Sequence, residues 1–483
     1  MAWVSAFIVI SILLAFLLNS WLSKMNIKKL PPGPKGFPII GTIHLLKKLV
    51  HRDLHHLSQL YGPIMHMKLG LKSTIIVSSS HAAELFLKAH DPVFAGRPVR
   101  LTFNQLSYHQ KNIAFAQYGP YWRNMRKICI LQLFTTLKMN SFTSMRREEV
   151  GLLIDHLQEA AKMHGVVDLS SQISSFIADV ICRMVFGRKF VEEEFKASIH
   201  EATLLVGAPD LGDFIPFISM LDLQGLGRRA KGVTKVFDGF LDMIIKQHLE
   251  SNDENRTKGC FLDVLLDSKI DHSSIKGVIM DLIIGGVDSS RTTIDWALSE
   301  LIKHPHTMKK VQKELENVVG LGKMVEESDL RELKYLEMVI KETFRMHPPI
   351  PLIPRKCIED CIVNGYHIPK NSEVLINEWA IGRDPCVWFD PLTFFPERFA
   401  NRKMDTRGKD FQLHPFGYGC RNCPGMQLGL VLVQLVVAQL VHWFDLELPN
   451  GISPSELDMT EQFGLTCTRA HNLRVILVRR APN

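Results

Sequence analysis

The sequence has too little of several residue types to be fibrous, disordered or built on disulfides. Its 483 residues include 31 glycines and 24 prolines, about 11% of the chain, which excludes collagen-like and low-complexity classes. Nine cysteines are too few for a disulfide scaffold, and their odd number leaves at least one thiol unpaired, so we expect a reducing compartment. The net charge of +7 does not indicate nucleic acid binding, although it suits an acidic partner.

Charged side chains are absent from the first 23 residues, and most of residues 3–22 are apolar. As a helix rising about 1.5 Å per residue, this run is long enough to cross a bilayer core of about 30 Å. It has no basic leading region and no small-residue cleavage site, so we favour an uncleaved transmembrane signal-anchor over a signal peptide. Lys24, Lys28 and Lys29 follow, and the positive-inside rule places the rest of the chain in the cytosol.

The pattern divides the chain into three segments. Residues 1–23 are the expected anchor, and residues 24–36 are a basic hinge stiffened by Pro31-Pro32-Gly33-Pro34. We expect no second membrane span in residues 37–483, and they contain no repeat of about 20 to 50 residues. We therefore expect a single domain after the hinge.

Apolar residues recur at spacings of three and four through much of this domain, which predicts a mainly α fold. The predicted helices cover residues 82–89, 145–163, 171–186, 233–249, 274–303, 307–319, 329–346 and 426–443. Strand patterns at residues 64–69, 73–78 and 474–478 predict small peripheral β-sheets. Strands and helices do not alternate regularly, so a parallel α/β fold is not expected.

One glycine-rich segment has the residues of a buried metal ligand. It precedes an apolar helix and reads His414-Pro415-Phe416-Gly417-Tyr418-Gly419-Cys420-Arg421-Asn422-Cys423-Pro424-Gly425. The glycines permit a tight loop whose N–H groups point at one sulfur, and the positive end of the next helix favours a thiolate at Cys423. We interpret Cys423 as an axial ligand to iron. A dithiol of Cys420 and Cys423, or zinc bound by both with Cys357 and Cys361, is the weaker alternative.

The motif Phe416-x-x-Gly419-x-Arg421-x-Cys423-x-Gly425 resembles the haem-binding signature of the cytochrome P450 superfamily, and the chain is similar to plant microsomal A-type members. Five further family elements occur in order: Pro31-Pro32-Gly33-Pro34, Trp122-Arg123-Asn124-Met125-Arg126, Gly285-Gly286-Val287-Asp288-Ser289-Ser290, Glu342-Thr343-Phe344-Arg345 and Pro396-Glu397-Arg398-Phe399. The resemblance implies a single, mainly α cytochrome P450 fold behind the N-terminal transmembrane helix. It also implies haem b, iron protoporphyrin IX, as the cofactor.

The resemblance assigns the residues that hold the haem. Cys423 binds the iron, and Phe416 belongs to the same haem loop. Arg126, Arg355 and Arg421 pair with the two propionates, because guanidinium groups donate parallel hydrogen bonds to carboxylates. Trp122 adds its indole N–H to this set.

A second implied group has a structural role. Glu342 and Arg345 lie three residues apart on one predicted helix and therefore share a face. The resemblance implies that Arg398 joins them in a buried network that locks the Cys loop against the helical core. Removing one member of such a network typically costs about 3–5 kcal/mol.

The predicted helix 274–303 carries the oxygen chemistry. Gly285 and Gly286 cost about 1 kcal/mol each relative to alanine, and their missing side chains let a planar macrocycle and O2 approach the backbone. Asp288 and Ser289 follow, and in the family an acid beside an alcohol relays protons for O–O cleavage. This chain has Ser289 where threonine is usual, so the hydroxyl is kept without the rotamer restriction of a β-branch.

These features predict a haem-thiolate monooxygenase that inserts one atom of O2 into a lipophilic plant specialised metabolite. The chain lacks flavin and nicotinamide motifs, so the resemblance implies electrons from NADPH-cytochrome P450 reductase in the endoplasmic reticulum membrane. An O2-independent isomerase or dehydratase is one alternative. A degenerate, non-catalytic haem protein is another, based on the unusual His414 and Cys420. The resemblance implies that the substrate contacts residues 101–117, residues 203–214, the predicted helix near Asp281 and Val287, the turn 350–353 and the substrate loop 463–465. These segments are mostly apolar, with Asp281 and His109 as polar residues.

Overall fold

The computed structural model describes residues 29–189, 193–250, 259–402, 404 and 410–480. The predicted anchor at residues 1–23 and the first part of the hinge lie outside the described residues. Within those residues the fold is mainly helical, as the sequence predicts, with four small sheets beside the helices.

The described helices are, in chain order, α1 (Val50–Tyr61), α2 (Ser80–Glu84), α3 (Leu101–Leu106), α4 (Pro120–Ile128), α5 (Thr136–Ser141), α6 (Thr143–Lys162), α7 (Leu169–Phe186), α8 (Glu193–Gly207), α9 (Leu211–Phe214), α10 (Leu226–Glu250), α11 (Phe261–Asp267), α12 (His272–Lys303), α13 (Pro305–Val318), α14 (Lys334–Met346), α15 (Glu378–Ile381) and α16 (Met426–Trp443). Short π-helical turns at Leu85–Ala89 and Cys129–Leu133 extend α2 and α4.

The strands are β1 (Ile64–Leu69), β2 (Lys72–Val77), β3 (Val166–Asp168), β4 (Leu352–Lys356), β5 (Cys361–Val363), β6 (Tyr366–Ile368), β7 (Glu373–Asn377), β8 (Phe444–Glu447), β9 (Glu461–Phe463), β10 (Cys467–Arg469) and β11 (Arg474–Arg479). The largest sheet has the order β1-β2-β7-β4, with only the β2–β7 pair parallel. A three-stranded sheet has the order β3-β11-β8, and the pairs β9–β10 and β5–β6 stand alone.

Helix α12 is the centre of the fold. Asp271 caps its N-terminus by accepting a hydrogen bond from the Ser274 amide at 3.1 Å. Every residue from 292 to 302 is buried, because α12 packs against α7, α14 and α16. Helices α7 and α16 are apolar and long enough to cross a membrane, but two thirds of each is buried inside the protein. Their composition therefore reflects an interior position.

Helices α6, α7, α12, α13 and α16 match the predicted ranges to within two residues, whereas α10 begins seven residues before its predicted start. Helices α1 and α8 were not predicted, and neither were most of the short helices. The pattern at 329–346 predicted one helix, but Asp329–Arg331 is a separate 3₁₀ turn and α14 begins at Lys334. Leu333, with φ −82° and ψ 70°, breaks the helical path between them. The four-stranded sheet is also less peripheral than predicted, because apolar clusters cover both of its faces.

Candidate active site

A largely apolar cavity of about 650 Å³ lies beside α12. Gly285 and Ser289 of α12 form one wall, and the loop at residues 415–425 forms another. The segment 349–355 and the turn 463–465 also border it. Sequence segments that are far apart in the chain therefore meet around one cavity.

Cys423 borders this cavity from the glycine-rich loop. Gly417 and Gly419 both have φ of +71°, a conformation that L side chains rarely adopt. A Cβ at Gly419 would also lie 2.4 Å from Asp91 Oδ1, so the loop requires glycine there. The Cys423 amide donates to the carbonyl of Phe416 at 2.8 Å and closes the loop just before α16.

The electrostatics at Cys423 combine opposing effects. Burial raises the pKa of this thiol, while a hydrogen bond from the Gly425 amide and the nearby Arg126 guanidinium lower it. The loop amide is an influence that the sequence predicts, whereas the Arg126 charge is not, and burial outweighs both in the protein alone. A bound metal cation reverses this balance, because a coordinating thiol loses its proton.

Of the five arginines that border the same cavity, Arg100 pairs with Glu373 at 2.6 Å. The other four are Arg97, Arg126, Arg355 and Arg421. Burial lowers the pKa of all four, to about 9 for Arg421, where repulsion by Arg355 adds to the effect. The Nε and Nη1 atoms of Arg355 are buried and have no hydrogen-bond partner among the described residues. Crowded cations with unsatisfied donors fit a ligand that carries carboxylates, as the haem propionates do.

The other guanidinium groups already have protein partners. Arg421 donates from Nε, Nη1 and Nη2 to the carbonyl oxygens of Ala95, Ile113 and Ala116 at 2.9, 3.1 and 2.6 Å. Arg126 pairs with the Asn422 side chain. Sequence reasoning gave Arg97 no role, because no motif surrounds it and only the fold brings it to the cavity.

Trp122 has a different hydrogen-bond partner from the expected one. Its indole N–H donates to the carbonyl of Ile113 at 3.0 Å in this structure, and the bond from this N–H to a propionate stays a prediction. The ring lies against Arg421, with the guanidinium carbon 4.2 Å from the ring centroid. Trp122 therefore supports an arginine of the cluster through a cation–π contact.

The two mid-helix glycines of α12 have different surroundings. A Cβ at Gly285 would meet no atom within 4 Å, so this position leaves open space at the cavity. A Cβ at Gly286 would lie 3.0 Å from Ile181 Cδ1, so this glycine lets α7 pack closely. Both glycines border the cavity, so the prediction that they clear room for a cofactor stands as a prediction, and Gly286 has the added role of making room for α7.

Asp288 and Ser289 point in different directions. Ser289 borders the cavity, and its hydroxyl donates to the carbonyl of Gly285 at 2.6 Å. Asp288 does not border the cavity, and its Oδ2 accepts a hydrogen bond from the Thr466 hydroxyl. Burial raises the pKa of Asp288, which Thr466, Arg291 and His200 partly offset. Sequence reasoning missed Thr466, which lies one residue beyond the predicted substrate loop.

Glu342, Arg345 and Arg398 form a buried ion-pair network. Glu342 lies 2.7 Å from Arg345 and 2.9 Å from Arg398, and the Glu342 and Arg345 side chains are fully buried. Arg345 also donates to the carbonyls of Gly382 and Pro391. In the described chain these bonds run to residues 382–398, and none reaches loop 414–425. The expected lock on the Cys loop would therefore act through the segment 382–398, and it stays a prediction.

The unusual loop residues have buried acidic neighbours. His414 Nδ1 lies 2.6 Å from Glu378 Oε2, and the Cys420 amide donates to Asp91 at 2.7 Å. Among the described residues, neither of the two side-chain groups that could hold a metal contains Cys420 or Cys423, which gives no support to a four-cysteine zinc site. Cys467 belongs to one of these groups, with His51 and Glu461, but it does not border the cavity.

A helical body around an apolar cavity, with one cysteine and five arginines at its edge among the described residues, fits a haem-thiolate protein. The cytochrome P450 family model matches residues 31–472. The chain belongs to the cytochrome P450 family and is a plant A-type member, so it is a haem-dependent monooxygenase. Membership also implies O2, a redox partner and a small-molecule substrate.

Relatives match along nearly the whole chain. "Cytochrome P450 CYP736A12" of Panax ginseng is 48% identical over 464 residues, covering 93% of each chain. Flavonoid 3'-monooxygenase of Arabidopsis thaliana is 40% identical over 478 residues, covering 94% of this chain and 93% of the relative. A solved zebra fish cytochrome P450 structure with abiraterone has a TM-score of 0.74 and 27% identity, covering 89% of this chain and 99% of that one. The predicted family, fold, enzyme class and cofactor are confirmed.

Proposed function

We propose that Cys423 would hold the haem iron through its thiolate in a monooxygenase that acts on a lipophilic plant specialised metabolite. The observation that carries this proposal is the position of Cys423 at the cavity, in a glycine-dependent loop, next to the open space at Gly285. When bound, the haem supplies the redox chemistry that activates O2. The protein supplies the ligand, the orientation and the proton control.

The arginine cluster would orient the haem. Arg355 has two buried nitrogens without partners, so its guanidinium is the best placed to receive a propionate. Arg126, Arg421 and Arg97 would add positive potential around it, since all four border the cavity. Neutralising these crowded cations would relieve the repulsion that lowers the pKa of Arg421.

Ser289 and Asp288 would have different roles in proton transfer. The Ser289 hydroxyl borders the cavity and is oriented by Gly285, so it would hold the water that hands on a proton. Asp288 lies behind it, has a raised pKa and would pass protons inward from the side of Thr466. A carboxyl group with a pKa moved toward neutrality is suited to general acid work.

The substrate class follows from the cavity and the relatives. The cavity is lined mainly by apolar side chains, including Phe103, Phe115 and Phe214, which suits a lipophilic molecule with aromatic rings. Several relatives are named as flavonoid 3'-monooxygenases, and one is a desmethyl-deoxy-podophyllotoxin synthase. A phenolic metabolite of modest size fits both observations, whereas a terpenoid fits the apolar cavity alone.

We further propose that residues 1–23 anchor the enzyme in the endoplasmic reticulum membrane in a single pass, with residues 24–36 as hinge. The catalytic domain, residues 37–483, would then face the cytosol and contact membrane lipid. Electrons would come from NADPH-cytochrome P450 reductase in the same membrane, and the basic surplus of the chain suits that acidic partner.

Reconstitution tests this function. The full-length protein, the reductase and NADPH are incubated with a pooled plant-metabolite extract, and mass spectrometry identifies products that gain one oxygen atom. Cys423→Ser, treated identically, is the control. Oxygenated products from the wild type alone support the proposal, whereas products that need neither NADPH nor O2 would favour an isomerase or dehydratase.

A further inference from the structure

Residues 112–115 form one wall of the cavity. Asp281 of α12 binds the backbone of this wall from one side. Asp281 accepts hydrogen bonds on Oδ2 from the amides of Ile113 and Ala114 at 2.7 and 2.9 Å. On Oδ1 it accepts a third from the Asn112 side chain at 2.7 Å. Both carboxylate oxygens are therefore occupied by the protein.

Side chains from other elements hold the opposite edge of the same loop. The Ile113 carbonyl accepts from Trp122 and from Arg421, and the Ala116 carbonyl accepts from Arg421. The Ala114 carbonyl accepts from Arg97 Nε at 2.9 Å. The loop is clamped between one carboxylate and two guanidinium groups of the proposed propionate cluster.

A second contact lies one turn earlier on α12. A Cβ at Gly277 would lie 2.1 Å from the carbonyl oxygen of Lys111, so only glycine lets the helix approach this loop so closely. Gly277 and Asp281 are four residues apart and therefore share one face of the helix. The close backbone contact at Gly277 and the hydrogen bonds of Asp281 therefore hold the same short segment, residues 111–114.

We propose that Asp281 is a positioning residue that fixes the wall loop 112–116 and thereby sets the shape of the substrate cavity, in place of binding the substrate directly. This inference rests on the proposed function, because the cavity is taken to be the haem and substrate site. Through the same loop, Asp281 determines where the backbone partners of Arg97 and Arg421 lie.

The electrostatics of Asp281 provide an independent readout. Burial raises the pKa of Asp281 to about 6, while the hydrogen bonds from Ala114, Ile113 and Asn112 and the charge of Arg97 oppose that rise. Tyr121 and Cys129 are the other titratable groups that interact with it. Protonation below about pH 6 weakens a carboxylate as an acceptor, so the loop should loosen there.

Hydrogen–deuterium exchange on the haem-loaded enzyme tests the proposal. Asp281→Asn should speed exchange of the Ile113 and Ala114 amides about tenfold or more, because the charged acceptor is lost. Gly277→Ala should speed exchange in the same peptide without touching Asp281. In the wild type, protection corrected for intrinsic rates should fall below about pH 6, and Asp281→Asn should lack this dependence.

A matched pair of ligands distinguishes a positioning role of Asp281 from direct binding of the substrate by Asp281. 4-Phenylimidazole and 4-(4-hydroxyphenyl)imidazole are titrated by their Soret shifts, and Asp281→Asn should weaken both by similar factors. Unchanged exchange at residues 112–116, with selective loss of the hydroxylated azole, would overturn the proposal. Haem content and the carbonyl spectrum, measured on the same samples, show separately whether the haem site itself is intact.

Discussion

Thr466 donates its hydroxyl hydrogen bond to the carboxylate of Asp288, on the side of α12 that does not border the cavity. Ser289, which follows Asp288 in the sequence, donates a hydrogen bond to the carbonyl of Gly285 and does border the cavity. The acid and the alcohol are therefore adjacent in sequence but have separate surroundings. Proton delivery would require them to act in sequence, with Asp288 behind Ser289.

Ser289→Ala should uncouple turnover without disturbing the haem. The mutation removes a hydroxyl from the cavity but no cofactor contact, so haem content and the thiolate spectrum should be unchanged. Product per NADPH should fall about tenfold or more and peroxide should rise, because a positioned general acid contributes about 10²- to 10⁴-fold. Ser289→Thr restores a restricted rotamer and should improve coupling. Unchanged coupling in both variants would mean that protons arrive elsewhere.

Thr466→Val should shift the pH dependence of turnover. The valine keeps the size of the side chain but removes the bond that lowers the pKa of Asp288, so burial should raise this pKa further. A carboxyl group with a higher pKa stays protonated to a higher pH, so the limb of the kcat profile due to Asp288 should move upward. Arg291 and His200 remain in place, and Thr466→Ser, which keeps the donor, should preserve the profile. If this limb of the kcat profile does not move in Thr466→Val, Thr466 has no part in the proton relay.

Glu342→Ala should prevent stable folding. It leaves Arg345 and Arg398 as buried cations without their carboxylate, at a cost of about 3–5 kcal/mol, which is a large part of a typical stability margin. The protein should be recovered haem-free or aggregated. Lys341→Ala is the matched control on the same helix, because it breaks only the partly exposed pair with Glu337. Soluble Glu342→Ala protein with normal haem content would refute the network's structural role.

Gly285→Ala should separate stability from ligand binding. The added methyl group meets no atom within 4 Å, and alanine favours the helix by up to about 1 kcal/mol, so the free energy of unfolding should rise. The same methyl group enters the cavity, so haem incorporation or substrate-induced spin shift should fall. Gly286→Ala is the comparison, since its methyl group meets Ile181 and should bring no gain in stability. Normal haem loading and spin shift in Gly285→Ala would show that this glycine does not clear the site.

The sequence predicts those parts of this protein that depend on local pattern. Long apolar periods locate α7, α12 and α16, and the glycines around Cys423 indicate a tight loop because positive φ is a local requirement. Arg97, Thr466 and the bonds of Asp281 have no such signal. Each depends on segments more than 100 residues apart being brought together, as when Ile113 meets Asp281.

The reduced carbonyl spectrum of Cys423→Ser is the most direct test of the proposed iron ligand. The wild type should show the red-shifted Soret band of thiolate ligation, and Cys423→Ser should lose that band because its sulfur is the one that borders the cavity. Cys420→Ser and Cys467→Ser should keep it, since Cys420 contacts Asp91 and Cys467 lies beside His51 and Glu461. A thiolate band that survives in Cys423→Ser, or that disappears in either control while haem remains bound, would contradict the account.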